Sequence, residues 1–395
     1  MILTEQFSVP QFSSLSLKTN ENPRLGYIPA LDGLRAIAIL AVMSFHYATR
    51  PFVPGGSLGV DLFFVLSGFL ITTLLLQEWA SSGTISLTRF YLRRGLRLLP
   101  AMLVFLAFTT SVVVVLRGHD FTGYAPIQAT TRNVVLALAY VYNWISASGD
   151  YRIPGLGHFW SLAVEEQYYL IWPGFLLLLL RAHRSIRTIL AASAAIFFVS
   201  ASMPLWWPEP DFDRLFFGTD FRLQALIAGS ILGQIYVAGL LNPSLIRGRP
   251  FKLATVSAGI ALFALFFTLT NRPAFMEVGG YAFVALACCF LVSTAAFDAH
   301  SWLSRSLSNP VLTYIGRRSY GLYLWHYPFA FWLLDLSQVV QVPLAFAVTF
   351  AAAELSYHLV ERPALRLKSR LGKPQSTDTE PTSKPVAESN PSTAA

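Results

Sequence analysis

The sequence predicts an all-α protein, a polytopic bundle of about ten transmembrane helices with the N-terminus and C-terminus both cytoplasmic. Of its 395 residues, 54% are hydrophobic and only 13% charged. A soluble domain carries about a quarter charged residues, so this chain has too little polar surface to cover a globule in water. Its apolar stretches recur at close to the ~20 residues a helix needs to cross ~30 Å of hydrocarbon. Between them, the arginines gather in short segments that fall on alternate turns of the chain.

In order, the expected spans are 30–49, 56–77, 98–117, 158–180, 188–206, 221–240, 253–272, 277–298, 318–336 and 341–361. Lys18, Arg24 and Arg35 flank the first and place the N-terminus in the cytoplasm. Alternation then puts Arg89, Arg93, Arg94 and Arg97 inside, followed by Arg181, Arg184 and Arg187, by Arg247, Arg249 and Lys252, and by Arg362, Arg366, Lys368 and Arg370. Every basic cluster lands on one side, as the positive-inside rule requires. The formal charge of +8 is therefore a property of membrane topology, and nucleic acid is not expected as a partner.

The segment VVLALAYVYNW, 134–144, is apolar but too short to span, and counting it would reverse every later loop. It is expected to be a re-entrant or interfacial piece. On the same outer side, PLWWPEPDFDRLFFGTD reads equally as an aromatic belt with a polar loop or as a platform for an external acceptor. Cys288 and Cys289 lie inside an apolar run and read as small buried hydrophobes, not as a disulfide framework. Residues 1–26 form a polar segment with no h-region, which predicts no cleavable signal peptide. The membrane domain is expected over 27–364, with a cytoplasmic tail over 365–395 that is disordered from about Gly372.

Ionisable groups within hydrocarbon cost several kcal/mol unless they face a cavity or a partner, so each is a functional candidate. Arg35 and His46 are eleven residues apart, close to three helical turns, and so share a face at a separation of about 16 Å. The bland alternative has Arg35 snorkelling beside Asp32 and His46 at the outer interface. Asp61, early in the second span, is expected at the level of His46, where a carboxylate would orient the imidazole and stabilise its cation. The competing role is a helix cap, for which Ser57 is better placed. Ser67-Gly68 reads as a close-packing patch. In HFWSLAVEEQYYLIWP, His158, Ser161 and Glu165 line one face by their spacing of three and four. Adjacent Glu165 and Glu166 call for a polar cavity. In RRSYGLYLWHYPFAFWLL, His326 is followed by Pro328, which frees a backbone carbonyl and bends the helix. Trp160, Ser161 and His326 are expected on the substrate side. Arg93, Arg94 and Arg97 in FYLRRGLRLLP form a compact basic loop at a helix start, suited to phosphate through guanidinium contacts and free N–H groups. No P-loop, Rossmann glycine fingerprint, zinc-type Cys/His spacing or GxSxG elbow occurs, and no metal is expected.

Taken together, LDGLRAIAILAVMSFHY, GVDLFFVLSGFLI, FYLRRGLRLLP, FWSLAVEEQYYLIWP and SYGLYLWHYP resemble, in order and spacing, the membrane acyltransferase-3 family over approximately residues 27–364. The resemblance implies an O-acyltransferase of the cytoplasmic (inner) membrane that takes acyl groups, usually acetyl, from acyl-CoA on the cytoplasmic side. It implies transfer to a sugar hydroxyl of a polysaccharide, lipid-linked glycan, peptidoglycan or glycoside. On this resemblance His46 is an essential histidine, paired with Arg35 in an arginine–ten residues–histidine pattern. Arg94 and Arg97 match an R-x-x-R element that contacts CoA phosphates, and Glu165 and Glu166 match an acidic motif. Some relatives carry a C-terminal extracytoplasmic hydrolase-like domain, which the short tail here does not provide. The chemistry agrees, because acyl transfer from a thioester to a hydroxyl needs a base near neutrality and histidine is suited to it. His46 would deprotonate the hydroxyl or first accept the acyl group itself. The rival reading is a glycan transporter or flippase, since intramembrane His, Glu and Arg also suit proton-coupled movement. Inverted repeats with matched broken helices are not evident.

Overall fold

The computed structural model describes residues 25–47, 51–115, 127–149, 156–207, 211–270, 274–333 and 336–370, and among them there is no strand. The polar N-terminus, including Lys18 and Arg24, and the tail from Gly372 lie outside the described residues.

The first half contains α1 Pro29–His46, α2 Gly59–Ser82, α3 Leu87–Val115, α4 Ile127–Leu138, α5 Tyr142–Ala147 and α6 Phe159–Arg181. The second contains α7 Ile186–Trp206, α8 Phe212–Phe217, α9 Thr219–Val237, α10 Pro243–Arg247, α11 Arg249–Thr268 and α12 Tyr281–Phe297. The chain ends with α13 Trp302–Leu307, α14 Pro310–Arg317, α15 Ser319–Trp332, α16 Gln338–Ser356 and α17 Arg362–Arg370, the last two joined through a π-helical turn, Tyr357–Glu361.

Eight helical stretches are long and apolar enough to cross a membrane: Pro29–His46, Gly56–Ser82, Leu87–Val112, Ile186–Trp206, Phe212–Val237, Arg249–Thr268, Met276–Phe297 and Gln338–Leu367. The other two expected spans are helical but fall outside this set. Helix α6 runs 23 residues and carries Glu165, Glu166 and Gln167, a polar load that lowers its hydropathy. Helix α15 has 14 residues, about 21 Å at ~1.5 Å per residue, shorter than the hydrocarbon core. Both carry residues of the site described below.

The outward faces are apolar. Phe198 on α7 and Phe263 on α11 are 67% and 66% exposed, which fits side chains that meet lipid rather than water. Inside the bundle α2 lies along α9. A Cβ on Gly68 would stand 1.9 Å from the Leu226 carbonyl oxygen, and one on Gly229 would stand 2.0 Å from that of Val65. Reciprocal glycines let the two backbones touch, as small residues do between membrane helices. The predicted small-residue role of Gly68 is thus realised, while Ser67 turns to the cavity.

The segment 134–144 does not span. Helix α4 ends at Leu138, Tyr140 takes a left-handed φ of 53°, and α5 begins at Tyr142. Gln167 of α6 fastens this piece. Its amide donates to the Tyr140 carbonyl at 2.7 Å and to Asn143 Oδ1 at 2.9 Å, and it accepts from Thr219 at 2.6 Å. Asn143 in turn donates to the Phe217 carbonyl at 3.1 Å, so α5, α6, α8 and the start of α9 are tied at one point. Beside this knot Arg214 pairs with Asp220 at 2.5 Å and lies 4.9 Å and 5.4 Å from the ring centres of Trp144 and Trp207.

Candidate active site

Helices α1, α2, α3, α6 and α15 enclose a cavity with about 640 Å³ of empty space, its open mouth included. Arg35 from α1, Arg94 and Arg97 from α3, Ser67 from α2, Ser161, Glu165 and Tyr169 from α6, and Tyr323 from α15 all line it. Ser161 and Glu165 share the cavity wall as their spacing of four predicts, and Arg35 lies on it too, whereas His158 and His46 do not line it.

Charge in the cavity is unevenly matched. Arg94 donates to Glu166 Oε1 from Nε at 3.1 Å and Nη2 at 3.0 Å, and its guanidinium sits 3.3 Å over the Tyr169 ring. Glu165 accepts a hydrogen bond from the Ser67 hydroxyl and one from Tyr169 at 3.1 Å. Among the described residues, neither Arg35 nor Arg97 has a hydrogen-bonded or ion-paired partner. Two guanidinium groups facing a cavity inside an apolar bundle have the chemistry to hold an anion.

Above the arginines the polarity changes from charge to hydroxyls and then to imidazoles. The Tyr323 hydroxyl is 2.5 Å from Ser161 Oγ and donates to the His158 carbonyl at 3.0 Å. Beyond it three histidines meet. The His326 ring centre lies 5.1 Å from that of His46 and 5.3 Å from that of His158, and Tyr327 lies 5.1 Å from His46 and 5.0 Å from His158. The His46 Nδ1–H donates to the Val42 carbonyl at 2.9 Å, and the His326 Nδ1–H donates to the Tyr323 carbonyl at 2.6 Å. A carbonyl can only accept, so both rings carry a proton on Nδ1, which in the neutral ring leaves Nε2 as the acceptor. Among the described residues, no group of His, Cys, Asp or Glu is arranged to hold a metal ion.

Several expectations are corrected. Asp61 does not meet His46. It pairs with Arg222 of α9 at 2.9 Å, both side chains 1% exposed, because α2 presents it to α9. Trp160 faces the same pair, its ring centre 5.4 Å from the Arg222 guanidinium, and does not line the cavity. Arg35 is not paired with Asp32, which accepts from Tyr27 at 2.9 Å and lies 3.7 Å from Arg317. The FYLRRGLRLLP arginines lie within α3, which starts at Leu87, not in a loop. Their own backbone N–H groups lie past the first helical turn, so only the guanidinium groups remain for an anion. Glu166 is engaged with Arg94, so of the adjacent carboxylates only Glu165 faces open space. Of the expected substrate-side residues, Ser161 lines the cavity while His326 lies beyond it, fully buried.

Sequence reasoning passed over Arg222, Tyr169 and Tyr323, and gave His158 only a place on a helix face. Arg222 carried a readable signal, a lone charge just inside an expected span. Tyr323 lies three residues before His326, on the same face.

The class follows from the match of the Acyltransferase domain family, Acyl_transf_3, over residues 28–357. The chain belongs to this acyltransferase-3 family. It is 35% identical over 354 residues to the peptidoglycan O-acetyltransferase OatA of Listeria monocytogenes, covering 85% of this chain and 56% of that one. It is 34% identical over 353 residues to the O-acetyltransferase OatA of Staphylococcus aureus, covering 85% and 57%. The chain thus spans somewhat more than half the length of the curated relatives it matches. No solved structure matches it.

Proposed function

We propose that this protein is a membrane O-acetyltransferase that takes an acetyl group from acetyl-CoA on the cytoplasmic side and passes it to a sugar hydroxyl of an envelope glycan or glycoside. The reading places the protein in the cytoplasmic membrane with about ten spans, α6 and α15 completing the count, and with both termini inside. The observation that carries it is the alignment along α1. The guanidinium groups of Arg35 and Arg97, unpaired among the described residues, lie on the cavity wall. His46, eleven residues after Arg35 on the same helix and so about 16 Å further on, stands beyond that wall, its ring centre 5.1 Å from that of His326. A donor with phosphates at one end and a thioester at the other fits that polarity.

In this reading Arg35 and Arg97 hold the CoA phosphates, and Arg94, braced by Glu166 and Tyr169, fixes the wall beside them. Glu165, held by Ser67 and Tyr169, keeps the middle of the cavity polar. The unprotonated Nε2 of His46 takes the proton of the acceptor hydroxyl as its oxygen attacks the thioester carbonyl. The carbon–sulfur bond breaks, and the proton returns to the departing sulfur. The same nitrogen also suits a route through an acyl-histidine. The relatives' names point to peptidoglycan as one acceptor of this kind.

The test uses the detergent-purified full chain with radiolabelled acetyl-CoA and a soluble glycan acceptor. Wild type is expected to transfer label or slowly hydrolyse the thioester, and His46→Ala is expected to do neither while still binding CoA. Arg35→Ala with Arg97→Ala is expected to weaken CoA binding at least tenfold. Equal behaviour of wild type and His46→Ala, with no CoA binding by either, would sink the reading.

A further inference from the structure

A histidine that acts as a base becomes a cation, and inside an apolar bundle that cation needs a partner. The sequence offered Asp61 for this, and Glu165 is the other carboxylate to consider. The structure gives Asp61 to Arg222 and leaves Glu165 bonded to Ser67 and Tyr169, at the cavity. The group that faces His46 is another imidazole. His326 is wholly buried, its Nδ1–H is committed to the Tyr323 carbonyl, and its Nε2 has no hydrogen-bond partner among the described residues. Its ring centre is 5.1 Å from that of His46, about the separation of two imidazoles sharing one N–H···N bond. With their protons on Nδ1, neither neutral ring can donate from Nε2 to the other, whereas one added proton on Nε2 gives the pair a donor.

We propose that His326 is the proton partner of His46, sharing through its Nε2 the proton that His46 lifts from the acceptor hydroxyl. The inference rests on the acyltransferase reading above. The O–H bond of the acceptor breaks as its oxygen bonds the acyl carbon. The proton is held between the two Nε2 atoms, and the carbon–sulfur bond then breaks with the proton delivered to sulfur. No proton is gained or lost over the cycle, and no further reactant is needed. Two imidazoles suit this task better than a carboxylate, because a neutral pair needs no buried counter-charge while it waits. The groups that face His326 are His46 from α1, His158 at the start of α6, Tyr47 at 6.5 Å, and Tyr323 and Tyr327 of its own helix. None is a carboxylate, so the pair is where the proton can rest. Among the described residues, neither ring nitrogen of His158 has a hydrogen-bond partner. The Leu324 carbonyl, which Pro328 deprives of its helical N–H donor, lies near it without hydrogen-bond geometry. His158 therefore remains available to solvate the charged pair.

The test compares His326→Asn and His326→Gln in the full-length detergent-solubilised protein. Asn keeps an N–H at the Nδ1 position toward the Tyr323 carbonyl, and Gln keeps a polar atom at the Nε2 position, but neither takes up a proton. Both are expected to lower kcat roughly 100-fold or more, to change the shape of the kcat–pH profile, and to leave acetyl-CoA Kd within about threefold. A kcat within threefold of wild type in either variant overturns the proposal, as does an equal loss of CoA binding and kcat. Should neither variant fold, the wild-type protein decides through a titration of its 15N-labelled histidines. One proton-uptake step that moves two Nε2 resonances together is expected, and separate steps for the two rings overturn the proposal. Absence of any acyl transfer by wild type sinks the acyltransferase reading and this inference with it. Active wild type with active His326→Gln sinks this inference alone.

Discussion

Replacing Asp61 with leucine separates the two roles proposed for this residue, catalytic and structural. In the structure its carboxylate pairs with Arg222 at 2.9 Å, each side chain 1% exposed. Removing one member of a buried pair costs about 3–5 kcal/mol, because the other charge is left without compensation. Arg222 cannot shed its proton, and its Nε and Nη1 already lack partners. It does retain the Tyr281 ring at 3.9 Å, and a desolvated cation–π contact returns up to about 2 kcal/mol. Asp61→Leu should therefore destabilise the protein by about 1–3 kcal/mol if that contact returns its full value. Adding Arg222→Leu should recover most of that, since two apolar side chains of matching size can replace a buried pair at little cost. The assay is reversible denaturation in detergent, where reversibility holds, with thermal midpoints otherwise giving the order of the variants. Acetyl transfer is measured in parallel. The double variant is expected to keep kcat within about tenfold of wild type, because Asp61 does not touch His46. An inactive but stable double variant would refute the structural assignment, and an Asp61→Leu protein as stable as wild type would refute the electrostatic reasoning.

Two further outcomes follow from the packing. Gly68→Ala puts a Cβ 1.9 Å from the Leu226 carbonyl, and backbone has nowhere to move, so α2 and α9 must separate. We expect a loss of at least about 1–3 kcal/mol, read as a lowered thermal midpoint, with Gly229→Ala behaving alike. Gln167→Leu removes the hydrogen bonds that tie α5 to α6 and α9, and is expected to raise the acceptor KM several-fold while acetyl-CoA Kd stays unchanged. Parallel losses of both would mean that the knot supports the whole bundle rather than its acceptor side.

Most of the helices were legible because their signal is local: a run of ~20 apolar residues is sufficient on its own. The shared faces were legible for the same reason. Arg35 with His46, and Ser161 with Glu165, follow from the pitch of a single helix. What failed were statements joining two helices. Nothing in GVDLFF says whether Asp61 turns to α1 or to α9. The choice is made by the reciprocal glycines at 68 and 229, which bring α9 and its Arg222 against α2. The arginine loop failed for a related reason. Arginine is a good helix former, so α3 simply begins earlier and carries the cluster inside. Of the ten expected spans, eight are long and apolar enough to cross a membrane among the described residues; α6 carries polar residues of the site that lower its hydropathy, and α15 has only 14 residues.

That last point has a physical consequence. A helix rich in Glu, Gln, Ser, Tyr and His is tolerated in a bilayer only where other helices surround those side chains. Helices α6 and α15 supply Ser161, Glu165, Tyr169, Tyr323 and His326, and the more apolar α7 and α11 lie with phenylalanines outward. Along α1 the site then grades from guanidinium and carboxylate, through hydroxyl, to neutral imidazole. Each step lowers the fixed charge, so on the proposed reading the anionic end of a donor would be held where counter-charge is present. Its reacting end would meet the imidazoles in a zone where their neutral Nε2 atoms would be the strongest acceptors. In that zone a proton released by an attacking hydroxyl has the imidazoles as its first stop. Moving a carboxylate there should then slow the reaction rather than assist it. Phe63→Glu, whose side chain lines the cavity with its ring centre 6.4 Å from that of Tyr323, is the variant that checks this. It is expected to lower kcat at least tenfold with acetyl-CoA still bound, and a faster enzyme would contradict the charge gradation as the organising feature of the site.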